Sequence, residues 1–200
     1  MRLAVLGPLQ VSRDGRVWSP GGPKERRLLA ILLLHLGEVV STDALAEALW
    51  NGAPPPSAVK TVQVYVTRLR AALAPCDPDG NLIQRVGRGY RLAVQLDAVD
   101  AFAFVRLVRE ARRALDAGAA REAERHLVEA FALWRGEPYG EFADGAVFAA
   151  EVQRLTETRL AGIEVRLAAG LALGRNADVV ADAQALCATT RSTNSSGCTW

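Results

Sequence analysis

Apolar and polar positions first alternate with a period of about two. Arg2 to Leu6 and Leu9 to Val11 read as short strands parted by Gly7-Pro8, and Asp14-Gly15 marks a hairpin turn before Val17-Trp18. Pro20-Gly21-Gly22-Pro23 breaks that pattern, and the period lengthens. Leu28, Leu29, Leu32, Leu33 and Leu36 recur at helical spacing, so a helix is predicted from about Lys24 to Leu36, ended by Gly37. Ser41 caps a second, short helix over Thr42–Leu49, which carries Leu45, Ala48 and Leu49 on one face. The triple proline of Asn51 to Pro56 forms a stiff loop, and Ser57 is placed to cap a third helix from Ala58 to Leu73. Leu82 to Val86 and Tyr90 to Val94 then read as a hairpin turning at Gly87-Arg88-Gly89.

Strands, three helices and a closing hairpin make up a winged helix with a small N-terminal sheet, its second and third helices forming a helix-turn-helix with an enlarged connection. From Asp97 the period is helical throughout. Phe102–Ala117, Arg121–Trp134, Val147–Leu173 and Val179–Leu186 read as helices, and their pairing fits TPR-like units. The expectation is a mainly α protein with small β-sheets. Residues 1–96 form the winged helix, 97–186 an all-α TPR-like domain and 187–200 a polar, disordered tail.

The third helix changes the picture most. On a wheel, Val59, Val62, Val66, Leu69 and Leu73 form one apolar stripe for docking. Opposite lie Lys60, Thr61, Val64, Thr67, Arg68 and Ala71, flanked by Gln63, Tyr65 and Arg70. No carboxylate occurs between Ser57 and Ala74. An ordinary surface helix mixes both signs and gains i,i+4 pairs, so this one points to a polyanionic partner. In a major groove Val64 can meet a thymine methyl while Arg68 reaches guanine or a phosphate. Arg85, Arg88 and Arg91 gather at the hairpin, with Arg88 between two glycines, which suits the minor groove or nearby phosphates. Charge agrees: residues 1–96 carry 12 Lys/Arg against 7 Asp/Glu, and residues 97–200 carry 12 against 15.

Other chemistries find little support. The three cysteines (Cys76, Cys187, Cys198) are odd in number and widely spaced, which reads as free thiols in a reducing compartment. His35 and His126 lack partners at metal spacing, and neither a phosphate-binding loop nor a nucleophile motif occurs, so no cofactor, metal or enzyme activity is expected. Glu110, Glu122, Glu124 and Glu129 read as solvated helix faces, and Phe131, Trp134, Tyr139 and Phe142 as helical core. Apolar runs are too short to span a bilayer and the start does not resemble a secretory signal, so no membrane association and a cytoplasmic location are expected. The competing reading is a TPR-like adaptor acting through protein contacts, with only incidental DNA affinity.

The runs Ala58–Leu73 (AVKTVQVYVTRLRAAL) and Ile83–Leu92 (IQRVGRGYRL) resemble the OmpR-type winged helix. Gly21–Ala30 (GGPKERRLLA) and Val40–Trp50 (VSTDALAEALW) resemble one branch of it, the Streptomyces antibiotic regulatory proteins and related AfsR-type activators. Asp100–Phe102 (DAF) and Ala132–Tyr139 (ALWRGEPY) resemble that family's bacterial transcriptional activation domain, of which this chain carries a shortened version. The resemblance implies a sequence-specific activator of secondary-metabolite genes that binds direct repeats in double-stranded DNA and contacts RNA polymerase, with room for a homo-oligomer on DNA. It implies DNA-facing roles for Lys60, Thr61, Val64, Thr67, Arg68 and Arg70 on the helix and for Arg85, Arg88 and Tyr90 on the hairpin. It implies a polymerase-contacting role for the loop Trp50, Asn51, Gly52, Ala53, Pro54, Pro55 and Pro56. Val86 stands at one place where the family's wing arginine is common, with Arg85 and Arg88 beside it.

Overall fold

The computed structural model describes residues 1–175. The expected helix Val179–Leu186, the tail from 187, Cys187 and Cys198 lie outside the described residues. Three strands open the chain, β1 (Arg2–Ala4), β2 (Gln10–Arg13) and β3 (Arg16–Trp18). They pair antiparallel in sequence order, with Leu3 opposite Val11 and Val11 opposite Trp18. Asp14 and Gly15 both take positive φ at the β2–β3 turn, as the hairpin reading requires.

Helix α1 (Pro23–Leu34) starts with proline in its first turn, where the missing N–H is harmless. Its Leu28, Leu29, Leu32 and Leu33 are all buried. A two-residue strand, β4 (Val40–Ser41), precedes α2 (Thr42–Leu49). Ser41 caps α2 by accepting a hydrogen bond from the Ala44 N–H at 3.1 Å. The third helix, α3 (Ala58–Leu73), buries Val62, Val66, Leu69 and Leu73 against this core. Two departures from expectation sit at its start. Val59 is exposed, because Ala58 fills the inward position of the first turn. Ser57 makes no side-chain cap: its ψ of 4° is not the extended value that aims a capping hydroxyl. Instead the Ser57 carbonyl accepts from the Thr61 hydroxyl and N–H, both at 3.0 Å.

The hairpin β5 (Ile83–Val86) and β6 (Gly89–Leu92) forms the wing. The second sheet runs β4-β6-β5, with Val40 opposite Tyr90 and Ile83 opposite Leu92. The strand β4 has no sequence signature of its own, since two residues ahead of a helix cap look like cap alone. Gly89 has a packing reason: a Cβ there would collide with the Val40 carbonyl oxygen. Cys76 is a buried free thiol, pushed up by burial above its ordinary pKa and so poorly nucleophilic.

Among the described residues three α-helices follow, α4 (Asp100–Asp116), α5 (Ala120–Ala132) and α6 (Ala146–Ala172). The change from sheet to helix falls near residue 96, as the hydrophobic period indicates, yet compactness divides the chain elsewhere. One compact unit joins Met1–Phe104 to Leu133–Thr156, and the other joins Val105–Ala132 to the described residues from Glu157 on.

Backbone chemistry explains the first unit. The β1–β2 link leaves Val5 and Leu6 inside, off the ladder, with polar groups that need partners. The buried Asp100 carboxylate accepts from the Val5 N–H at 2.7 Å and the Leu6 N–H at 3.0 Å. In return the Arg135 and Tyr139 N–H groups donate to the Leu6 and Val5 carbonyls at 2.7 and 2.6 Å. Burial raises the Asp100 carboxyl above its ordinary pKa, while the Val5, Leu6 and Ala101 N–H groups and the Arg135 charge act the other way. Gly140 passes so close to Pro8 that a Cβ would sit 2.9 Å from the Pro8 Cα. Tyr139 and Phe142 are buried beside Phe148, with ring centroids 5.0 and 6.0 Å from it, which makes this aromatic segment core.

Candidate nucleic-acid interface

A ligand the size of a duplex needs a protruding, rigid and cationic surface, and α3 with the wing supplies one. With its stripe buried, α3 leaves Lys60, Gln63, Val64, Thr67 and Arg68 exposed and Thr61 half-exposed. Val64 is 47% exposed in the middle of this face. The Thr67 hydroxyl donates to the Gln63 carbonyl at 3.0 Å, as that of Thr61 does to Ser57. Both hydroxyl protons are engaged, so each oxygen has only lone pairs to offer an outside donor. The exposed cations of this helix are Lys60 and Arg68, the latter with its Nη1 3.8 Å from the Glu25 carboxylate of α1.

Arg70, on the flank, is turned to another task. Its guanidinium donates to the Ile83 carbonyl at 2.6 and 3.2 Å and lies 6.0 Å from the centroid of the Tyr90 ring. Tyr90 itself is 4% exposed. These two residues, grouped with the DNA-facing set in the sequence, form the joint between α3 and the base of the wing. Arg85 and Arg88 are exposed on the wing, and Val86 between them is 39% exposed. Arg91 is held by a hydrogen bond to the Gln84 side chain at 2.8 Å. The wing tip is anchored as well: the Thr42 N–H and hydroxyl donate to the Arg88 carbonyl at 3.0 and 2.7 Å. Thr42 was not singled out in the sequence, and only its place beside the β4 pairing reveals it.

The α2–α3 loop is ordered by its own bonds. Asn51 and Gly52 take positive φ, and the Gly52 N–H donates to the Glu47 carbonyl at 2.9 Å. Asn51 also accepts from Arg27 through its side chain. Trp50 stacks on Tyr65 of α3 at 6.2 Å between centroids, with the Lys24 ammonium 5.3 Å from its ring. Asn51, Gly52, Ala53, Pro55 and Pro56 are exposed, and Pro54 half-exposed. The loop touches α3 through Trp50 and Tyr65 and leaves most of its other side chains exposed. Among the described residues no cluster of His, Cys, Asp and Glu is arranged to hold a metal, and no helix is long and apolar enough to cross a membrane.

Known proteins resemble the chain over most of its length. Residues 19–92 match the family model described as "Transcriptional regulatory protein, C terminal", and residues 99–192 match "Bacterial transcriptional activator domain". Regulatory protein DnrI of Streptomyces peucetius is 33% identical over 194 residues, covering 94% of this chain and 71% of that protein. Transcriptional regulatory protein EmbR of Mycobacterium tuberculosis is 32% identical over 183 residues, and the chain spans 47% of its length. Regulatory protein AfsR of Streptomyces coelicolor is 35% identical over 189 residues, of which the chain spans 18%. A solved structure of Mycobacterium tuberculosis EmbR, in complex with a low-affinity phosphopeptide, superposes with a TM-score of 0.88 at 32% identity, covering 95% of this chain and 50% of that one.

Proposed function

Since the chain belongs to the Streptomyces antibiotic regulatory protein family, whose members are transcriptional regulators and not enzymes, we propose that it activates secondary-metabolite genes by placing α3 in the major groove of direct repeats near their promoters. One observation carries this reading: the exposed face of α3 is cationic, its helix is docked by a buried apolar stripe and carries no carboxylate of its own, and two exposed wing arginines belong to the same fold. Lys60 neutralises a phosphate, Val64 meets a thymine methyl, and Arg68 offers its planar fork to guanine O6 and N7. Thr61 and Thr67 shape the face as acceptors. Arg85 and Arg88 reach adjacent phosphates or the minor groove, the wing being held by Arg70 and Tyr90 at its base and Thr42 at its tip. The exposed part of the Trp50–Pro56 loop meets RNA polymerase. Function divides near residue 96: the part before it reads DNA, the helical part after it serves activation, and copies occupy adjacent repeats.

A gel-shift titration with promoter-derived and random duplexes tests this. Specific binding should exceed random binding, and log K should fall with log salt with a slope near −4.5 if about five phosphates are neutralised. Weak binding without preference would instead favour a protein-binding adaptor. Altering Pro54–Pro56 should lower transcription and leave duplex binding intact. Loss of both together would refute a separate polymerase contact.

A further inference from the structure

We propose that Glu25 is a positioning residue for Arg68, aiming its guanidinium for base reading. The inference rests on the groove-binding reading above and adds a specificity determinant that lies outside α3. Glu25 sits in the first turn of α1 and is only 7% exposed. Its carboxylate is walled by backbone: a Cβ on Gly22 would lie 2.8 Å from Oε2, and one on Gly21 would lie 3.0 Å from the Glu25 Cβ. Those two glycines make room for the acid and limit where it can turn.

A buried carboxylate needs a compensating charge. The two other arginines near it on α1 have their hydrogen-bond partners elsewhere, although the Arg26 charge also acts on Glu25. Arg26 forms a fork with Glu141 at 2.7 and 3.0 Å, and Arg27 donates to the Ala48 carbonyl at 3.0 and 3.3 Å. Arg68 is the cation that reaches the carboxylate itself, its Nη1 standing 3.8 Å from the Glu25 Oε1. The Arg68 side chain stays 66% exposed, and exposed pairs of this length add little to stability. Orientation is what such a contact provides. Arginine carries five N–H donors in a fixed fork, so one edge can rest on Glu25 while another faces outward. The carboxylate missing from α3 is thus supplied once, from beneath, at the single residue that must point at a base.

Glu25→Gln tests the proposal in the full chain, by competition gel shifts with promoter-derived and random duplexes. The variant should lose about tenfold in discrimination, because a bidentate arginine contact loses its aim. Its binding to random duplex should stay equal or tighten, since a negative charge has gone. Glu25→Asp, which withdraws the charge by one methylene, should fall between the two. In an Arg68→Ala background, Glu25→Gln should change discrimination no further. Unchanged discrimination in Glu25→Gln, or an equal loss on both duplexes with Glu25→Asp, overturns the proposal and leaves the groove reading standing. Failure of the unaltered protein to discriminate overturns the groove reading itself, and this inference with it.

Discussion

The charged residues of α3 and those of the later helices solve opposite problems. On α4, Arg106 reaches Glu110 one turn away at 3.0 Å. On α5, Arg125 faces Glu122 at 3.5 Å, and on α6, Arg154 is forked onto Glu151 at 2.6 Å. The unit that contains α3 follows the same practice elsewhere, with Arg26 on Glu141 and Asp100 on the Val5 and Leu6 N–H groups. Helix α3 differs in carrying Lys60, Arg68 and Arg70 with no acid of its own, so the one carboxylate near it, that of Glu25, comes from α1. Pairs within a helix each add a few tenths of a kcal/mol, so their absence costs the fold little. What it creates is a face whose positive charge is available to a ligand. Charges closed by partners hold this molecule together, and the exposed charges of α3 and the wing are the ones we propose for DNA binding.

That contrast can be broken in both directions. The largest effect is expected where a closed charge is removed. Asp100→Ala leaves two buried N–H groups unsatisfied and should lower stability by about 2–4 kcal/mol by denaturant unfolding. It should leave base preference unchanged in whatever protein remains folded. Arg68→Ala should weaken specific binding by about 1–3 kcal/mol and relax the choice of base at one position. Equal weakening on every sequence would reassign that side chain to a phosphate. Placing an acid on the open face makes the sharpest case: Thr67→Glu should lower duplex affinity at least about tenfold through repulsion by the phosphates, with melting hardly moved. Lys60→Ala should weaken all duplexes alike and make the salt slope shallower by about 1. Arg106→Ala, at the other end of the scale, should cost a few tenths of a kcal/mol in stability and nothing in DNA binding.

Acidity sharpens the contrast further. Burial raises the Asp100 carboxyl, so the folded chain holds that proton more tightly than the unfolded chain does. Its contribution to stability is greatest in acid and declines as pH rises from the ordinary carboxylate range to the higher folded value. The stability of the unaltered protein relative to Asp100→Asn should therefore fall across that window, as followed by thermal melts at stepped pH.

Much of this was legible in the sequence, and the misses share a cause. Helices α2 and α3 fall where leucine and valine spacing places them, because amphipathic period and caps are local signals. The open face of α3 was legible too, since absence of acids is a property of one helix. Contacts between distant segments were not. Nothing near Arg70 or Tyr90 reveals that they build the wing joint rather than face outward, and nothing near Glu25 announces Arg68. The spacing from Gly22 to Glu25, that of a cap residue to the third helical position, is the one trace, and it reads equally well as a favourable charge at a helix start. Between the helices read at Arg121–Trp134 and Val147–Leu173, the Arg135 and Tyr139 N–H groups bond to Leu6 and Val5 more than a hundred residues away, which no local signal announces.

The most direct measurement uses the unaltered protein and a promoter-derived duplex in which thymines are replaced, one at a time, by 5-iodouracil. Irradiation joins the iodinated position, which lies where the thymine methyl was, to the protein segment touching it in the major groove. The account predicts that at least one position couples to the peptide spanning Ala58–Ala71 and that competing specific duplex abolishes the adduct. Coupling confined to peptides from the later helices, with none from α3, would contradict it.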